Sequence, residues 1–545
     1  MARRPVALHL PVLRGGAAYR SAEVARLRDL RSGELVAEVS QANAALIARD
    51  LGASLAPAAA AARVPESRES RLAAPLGALP LGERLAICRR AAALFAEGEL
   101  AVGFDGETQA PADYLRDVSA TTGLPLTLAR ANLEKLRATL AGMEEVVAGL
   151  TRGLPAAALD SSAPERDAGG AHFQRLADTL GAVLPSNSPG VHGLWLAAPA
   201  LGVGLALKPG RDEPWTPLRL LRALAAAGCP PAALSFYPTD HAGAAEILLR
   251  CGRSLLFGDA ATVSPWRGDR RIEVHGPGFS KVIMGADQLA EWPSHLELVA
   301  SSLLANGGRS CINASGVWLE AVDGAQAASG AGPARGGRST PAREFAEALA
   351  RRLAAVEARP LDDPRAELAA WPDPAAARRI SEWIDRRLAP GEAEDLTAAA
   401  RGDRSGGRVV EVDGCTFLLP TLIWVRDADH PLARAELLFP FGAVVEVPRA
   451  ELPARLGPTL VATVLTADEE LRGELLACRD VDHLHLGAVP TWQVSFAQPH
   501  EGNLFDLLYR RRALRVAGLG PGLAAPPAPL PQPPALVSAP EGEGR

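Results

Sequence analysis

Cysteine is scarce in this chain. Its six cysteines (Cys88, Cys229, Cys251, Cys311, Cys415, Cys478) are scattered, with no C-x-x-C pair among them. That spacing argues against a disulfide framework and against a zinc ribbon, and no metal site is expected. Reduced thiols in a cytoplasmic compartment are the expectation. Long hydrophobic runs are missing as well. The longest, Leu194 to Leu207, is shorter than a bilayer span and is broken by Pro199 and two glycines. At the N-terminus, Arg3 and Arg4 precede only a short apolar run interrupted by His9 and Pro11, so neither a secretory signal nor a membrane segment is expected. An excess of one charge sign is also absent: a net charge of −6 and a pI near 6.0 give no pull towards nucleic acid or anionic lipid. Aromatic residues make up only 5% of the chain, with Trp195, Trp215 and Trp292 as candidates for either core or a substrate tunnel.

What is present is ordinary globular material, 48% hydrophobic and 22% charged. A length of 545 residues exceeds one compact core, so two or three domains are expected. Ala53 to Ser70, Gly324 to Ser339 and Gly518 to Arg545 read as a helix or linker, an exposed insertion and a disordered tail, from their small-residue and proline content.

Between them, strands and helices alternate. Leu201 to Leu207 reads as a buried strand. A helix then begins with Thr216 as N-cap and Pro217 at its first position, and Gly228 stops it. The strand Leu234 to Phe236, a helix capped by Asp240 and the strand Ser254 to Phe257 follow. Arg271 to Val274 and Lys281 to Met284 add two more strands around the turn His275-Gly-Pro-Gly278. This alternation predicts a parallel, doubly wound α/β sheet. Ser294 and Glu297 form a capping-box pattern for a helix that ends at Gly307-Gly308, just before Cys311.

A cysteine just beyond a glycine turn can have backbone N–H groups pointing at whatever its sulfur attacks. The run Asn306-Gly-Gly-Arg-Ser-Cys311 resembles the N-x-G-Q-x-C nucleophile motif of aldehyde dehydrogenases, with Arg309 in place of glutamine. Further elements follow in that family's order. Leu184-Pro-Ser-Asn-Ser-Pro189 resembles its P-W-N-F-P turn, and Leu207-Lys-Pro-Gly210 its cofactor-binding K-P motif. Arg359-Pro-Leu-Asp-Asp-Pro364 is similar to its G-D-P-L-D linker, and Gly414 to Pro420 with Glu436-Leu-Leu-Phe-Pro440 to its late elements. The resemblance spans roughly Tyr19 to Arg512.

The resemblance implies a soluble, NAD- or NADP-dependent enzyme that oxidises a small-molecule aldehyde to an acid. It implies a doubly wound cofactor domain, an α/β catalytic domain and a strand-bearing arm that joins a homodimer or homotetramer. The implied layout is an N-terminal extension (1–40), a cofactor domain (41–296), a catalytic domain (297–455), and a return to the cofactor domain and arm (456–515). The arm would pair a segment near Ala171 to Leu180 with Gln493 to Arg510. Cys311 would be the nucleophile, and the Asn187 amide with the Cys311 N–H would hold the oxyanion. Lys208 would hold the adenosine ribose, Gly258 would lie at the phosphate turn, and Glu436 would hold the nicotinamide ribose.

Three departures leave alternatives open. The E-L-G-G glutamate that activates water in hydrolytic members is replaced by His275, whose imidazole, with an ordinary pKa near 6.5, is one substitute base. The same run resembles the G-P-G turn of CoA-acylating members, in which CoA takes the acyl group. The ribose-binding glutamate after the lysine is Arg211, which favours tolerance of NADP, with Glu213 nearby as a possible replacement. The F-T-G-S-T-x-x-G turn is reduced to Phe257-Gly-Asp-Ala-Ala-Thr262, whose Asp259 would repel a pyrophosphate. A degenerate relative serving as a scaffold therefore stands beside the enzyme reading. A cofactor-free acyl hydrolase has no G-x-S-x-G or Cys-His signature to support it.

Overall fold

The computed structural model describes residues 7–52, 74–104, 106–154, 158–160, 171–321, 340–388, 391–402 and 407–513. The expected linker, insertion and tail at 53–70, 324–339 and 518–545 lie outside the described residues.

Two seven-stranded sheets organise the chain. In the first, Ile272–His275, Arg253–Phe257, Thr179–Val183, Gly204–Lys208 and Leu234–Phe236 lie side by side and parallel. Every described residue of Thr179–Val183 is buried, with no alternation, as a central strand covered on both faces must be. Replacing Leu180 by alanine there would leave a void costing about 2–5 kcal/mol. The sequence hides this strand because Gly181 and Ala182 weaken its apolar signal, and the expected arm segment partly overlapped it. Ala171–Arg175 pairs antiparallel with Tyr509–Ala513, a strand that shares only Tyr509 and Arg510 with the expected Gln493–Arg510 segment.

The described part of the expected N-terminal extension, residues 7–40, packs into the body instead. Val12–Arg14 adds antiparallel to Leu234–Phe236, and Leu8–Leu10 pairs with Leu35–Ser40 in a separate three-stranded sheet. The side chains of Leu8, Leu10 and Leu13 enter the main core, which ties this segment down.

The second sheet runs Ala393–Asp395, Thr421–Val425, Phe441–Val447, Gly316–Glu320, Lys281–Met284, Thr459–Leu465, Val481–Leu486. It therefore draws strands from both sides of the expected 297–455 segment. Lys281–Met284 pairs with Gly316–Glu320 and Thr459–Leu465, so the crossing between the sheets falls at the His275–Gly278 turn rather than at residue 296. Apolar clusters cover both faces of this sheet.

Two helix starts differ from expectation. The Trp215–Ala226 helix is capped by the Glu213 carboxylate, which accepts from Thr216 N and Thr216 Oγ, while Thr216 is buried inside. At Leu296–Leu304 no capping box forms: Ser294 Oγ turns to Glu291 O, and Glu297 pairs with Arg352 at 3.0 Å. The Asp240 cap forms, accepting from Gly243 N at 2.9 Å. Trp195 and Trp215 are wholly buried in the core, and Trp292 packs on Phe345, so none of the three lines the cavities around Cys311. Among the described residues, no helix is long and apolar enough to cross a membrane.

Candidate active site

The carboxyl ends of the first sheet's strands open towards the second sheet, and the loops leaving them meet the Cys311 loop. In parallel sheets this edge is where ligands bind. Leu304 ends its helix, and Asn306, Gly307 and Gly308 then adopt left-handed backbone (φ 52°, 66° and 71°), turning the chain sharply into Cys311. At Gly308 a β-carbon would lie 2.3 Å from the backbone of Phe439, so only glycine lets the Glu436–Pro440 loop close on this turn.

Side chains fix the loop from below. Asn132 Nδ2 donates to Asn306 Oδ1 (2.7 Å), and Asn306 Nδ2 donates to Ser188 Oγ (2.8 Å). Asn306 thus ties the Cys311 loop to the turn that carries Asn187. Ser280 Oγ donates to Cys311 O (2.8 Å), and a β-carbon at Gly278 would lie 2.3 Å from that same oxygen. The Gly276-Pro-Gly278 turn is therefore shaped by the backbone of Cys311 packing on it.

Arg309, in place of the family's glutamine, is buried and structural. Its guanidinium donates to Thr122 O (2.6 Å) and to Ala370 O, beneath the Trp371 ring. Burial pulls its pKa down to about 10. Asn187 Nδ2 donates one hydrogen to Arg309 O (2.8 Å), and its Oδ1 is buried with no protein donor among the described residues. One amide hydrogen of Asn187 therefore remains for a ligand. Among the described residues, the Cys311 N–H likewise donates to no other protein group.

Cys311 and Asn187 line two cavities at once. One, of about 220 Å³, is walled by Leu128, Lys135, Leu194, Trp492, Phe496 and His500. The other, of about 550 Å³, reaches Phe257, Gly258, Asp259, His275, Trp371 and Glu436 at the strand ends. Burial raises the Cys311 thiol well above its ordinary value, and the Glu501 and Glu436 carboxylates add to this. The sulfur therefore holds its proton at neutral pH.

His275 does not meet the expectation of an ordinary imidazole. Its Nδ1 contacts Glu501, its Nε2 lies 3.2 Å from Glu273 Oε1, and Phe257 stacks on its ring. Burial opposes a charge on the ring, yet the two carboxylates outweigh it and push the pKa up to about 10. Two carboxylates against the ring favour its charged form, which has no free nitrogen to take a proton, and this argues against a general-base role for His275. Glu501 lies far along the chain, and no spacing in the sequence signals it.

Glu436 Oε2 accepts the Phe279 N–H at 2.6 Å. Burial pushes its carboxyl up to about 7, against the backbone N–H groups of Phe279 and Gly278. Behind it, Lys281 donates to Phe279 O and Thr459 Oγ, and burial pulls its ammonium down to about 7. Neither shift is visible from sequence, because burial creates most of each, with Arg434 adding to it at Lys281 and Glu501 at Glu436.

The cofactor-side residues are less closely grouped. Lys208, at the end of its strand, is lowered by burial and by the neighbouring Arg211, which is exposed. Glu213 cannot replace the ribose glutamate, because it is spent on Thr216 and on His192 Nε2 at 3.0 Å. Gly258 lines the larger cavity, where a β-carbon would press on Thr262 at 2.6 Å. Asp259 caps the short turn after it and accepts from Thr262 N at 2.8 Å; the Thr262 side chain, followed by its backbone N–H, holds the carboxyl below the usual range.

The larger cavity fits a dinucleotide by its place at the strand ends and by its apolar Trp371, Pro372, Leu437 and Leu438 walls beside the Glu436 carboxylate. Of its two lining carboxylates, Asp259 and Glu436, Asp259 is the one next to Gly258, where its charge would oppose a phosphate.

Comparison with sequence-family models gives no match, nor does comparison with curated proteins. Solved structures do match over nearly the whole chain. Aldehyde dehydrogenase 21 from Physcomitrella patens, in complex with the reaction product succinate, superposes with a TM-score of 0.70 at 16% identity, covering 95% of this chain and all of that one. The aldehyde dehydrogenase KauB from Pseudomonas aeruginosa gives 0.69 at 15% identity, covering 93% and 96%. An E. coli NADP-dependent enzyme gives 0.69 at 16% identity, covering 93% and 97%. At this likeness of backbone and distance of sequence, the protein is a divergent chain with the aldehyde dehydrogenase fold.

Proposed function

We propose that the protein oxidises an aldehyde with NAD or NADP through a thioester on Cys311. The observation that carries this reading is the position of Cys311 between two cavities, one at the strand ends and one against Trp492 and Phe496. NAD or NADP, when bound, supplies the hydride acceptor. Lys208 and Arg211 would hold its adenosine end, where two cations suit a 2′-phosphate and favour tolerance of NADP. Gly258 would lie beside the phosphates, and Glu436 at the nicotinamide end.

The protein's own groups do the rest. As the Cys311 sulfur bonds to the aldehyde carbon, its proton passes to a base, and Glu436 is the carboxylate sharing its cavity that titrates near neutrality. The remaining Asn187 N–H and the Cys311 N–H receive the developing oxyanion. Loss of hydride from that carbon leaves a thioester. Glu436, its proton released to solvent, can then take one from the water that frees the carboxylic acid. This division of labour replaces His275 with Glu436.

Water is favoured over CoA as the acyl acceptor, because the packing of Cys311 O on Gly278 accounts for the G-P-G turn without a thiol ligand. An aldehyde panel with NAD and NADP, each with and without CoA, tests the proposal. Steady, CoA-independent formation of reduced cofactor is expected. No reduction with any aldehyde would favour a non-catalytic scaffold, and turnover only with CoA would favour the acylating chemistry. Homo-oligomerisation through the Ala171–Arg175 and Tyr509–Ala513 arm belongs to the same proposal.

A further inference from the structure

The smaller cavity has one cationic wall. The Leu126–Ala141 helix faces it with Leu128, Ala131, Asn132 and Lys135, a single stripe at helical spacing. Asn132 fixes one end of the stripe to the Cys311 loop through Asn306. Lys135 stands about one turn, ~4.5 Å, further along the axis. Trp492, Val494 and Phe496 also line the cavity.

The ammonium of Lys135 lies 5.0 Å from the centre of the Phe496 ring. Among the described residues it has no ion-pair or hydrogen-bond partner. The adjacent Glu134 turns away to Arg137 at 2.7 Å. His500, which lines the same cavity, is held neutral by burial and by the cations around it, so it supplies no counter-charge. A half-buried ammonium against an aromatic face recovers only part of the hydration it loses, and an anion within reach would restore the rest. The acidic groups, Glu436 and Glu501, act on Cys311 instead.

We propose that the substrate is a short aldehyde carrying an anionic group, carboxylate or phosphate, which Lys135 receives while Cys311 takes the carbonyl. The aldehyde part rests on the proposed function; the anion site does not. The bland alternatives are a lysine that extends to solvent along its stem, and a lysine that serves the Cys311 thiolate.

Two measurements decide. In the first, the full-length protein is alkylated with iodoacetamide, and Cys311 modification is read by peptide mass spectrometry in the presence of glutarate, glycerol 3-phosphate or neutral glutaramide. One of the anions should protect at a far lower concentration than glutaramide, and the better one identifies the group. Lys135→Met should raise that concentration about tenfold or more, and Lys135→Arg should largely restore it. In the second, kcat/KM is compared for glutaric semialdehyde and pentanal. Wild type should prefer the charged aldehyde, and Lys135→Met should erase the preference mainly through KM.

Equal protection in wild type and Lys135→Met overturns the inference, as does a Lys135→Met loss of equal size for charged and neutral aldehydes. Lys135-dependent protection with no aldehyde oxidised would sink the proposed activity and leave the anion site standing. Oxidation of both aldehydes without charge preference would do the reverse.

Discussion

The Cys311 loop and the Asp259 turn face the same cavity but are built in opposite ways. The first is over-determined. Two asparagines, two serines, two glycines in close backbone contact and a buried arginine all fix Cys311 and Asn187. The second is a four-residue turn, exposed but for Val263, with its own cap as its side-chain tie. Chemistry at the sulfur needs placement to a fraction of an ångström, whereas a phosphate turn can drift and still leave the rest of a long ligand in contact. Changes near Cys311 should therefore be severe, and changes near Asp259 mild.

The largest expected effect is at Cys311. Cys311→Ala should lower aldehyde-dependent cofactor reduction by about ten-thousandfold or more, with cofactor affinity nearly unchanged by fluorescence titration. Asn187→Ala should reduce kcat by about a hundred- to a thousandfold, since a donor to the oxyanion acts mainly in the transition state. A loss confined to KM would assign Asn187 to shaping the turn.

Glu436→Gln should cost about a hundredfold and abolish an acid limb in the pH profile. The wild-type rate should rise with pH through about 7, as the carboxyl gives up its proton. A limb unchanged in the variant would return Glu436 to ribose binding alone. His275→Ala should act on stability instead. The folded pKa is raised to about 10, so the ring's contribution is complete below its ordinary value and is lost as pH rises through about 10. Breaking this buried pair should cost on the order of 3 kcal/mol near pH 6, measured by denaturant unfolding, and much less near pH 10.

The smallest effect is expected at the phosphate turn. Asp259→Asn should tighten cofactor binding only about two- to fivefold, most clearly at low salt, because an exposed charge is screened. An effect as large as that at Asn187 would show that the turn is as rigidly used as the Cys311 loop.

The same contrast sets what the sequence could disclose. The turn at Asn306 and Gly308 was legible because its left-handed backbone and close contacts need those residue types at that spacing. The strands Leu234–Phe236 and Lys281–Met284 were legible as short apolar runs between turns. The roles of His275, Glu436 and Lys281 were not legible, because they depend on burial and on partners such as Glu501, 226 positions from His275. The tryptophans misled for a related reason. Composition does not separate core from cavity, and the tryptophans that line the two cavities are Trp371 and Trp492. Glu213, a fallback from nearness in sequence, proved to be a helix cap.

The central claim is that Cys311 carries the acyl group, and rapid-quench peptide mass spectrometry tests it most directly. Protein mixed with an oxidisable aldehyde and NAD or NADP should show the acyl mass on the Cys311 peptide, appearing with the first equivalent of reduced cofactor and absent when either reactant is withheld. Formation of reduced cofactor with Cys311 unmodified throughout, and undiminished in Cys311→Ala, would contradict it.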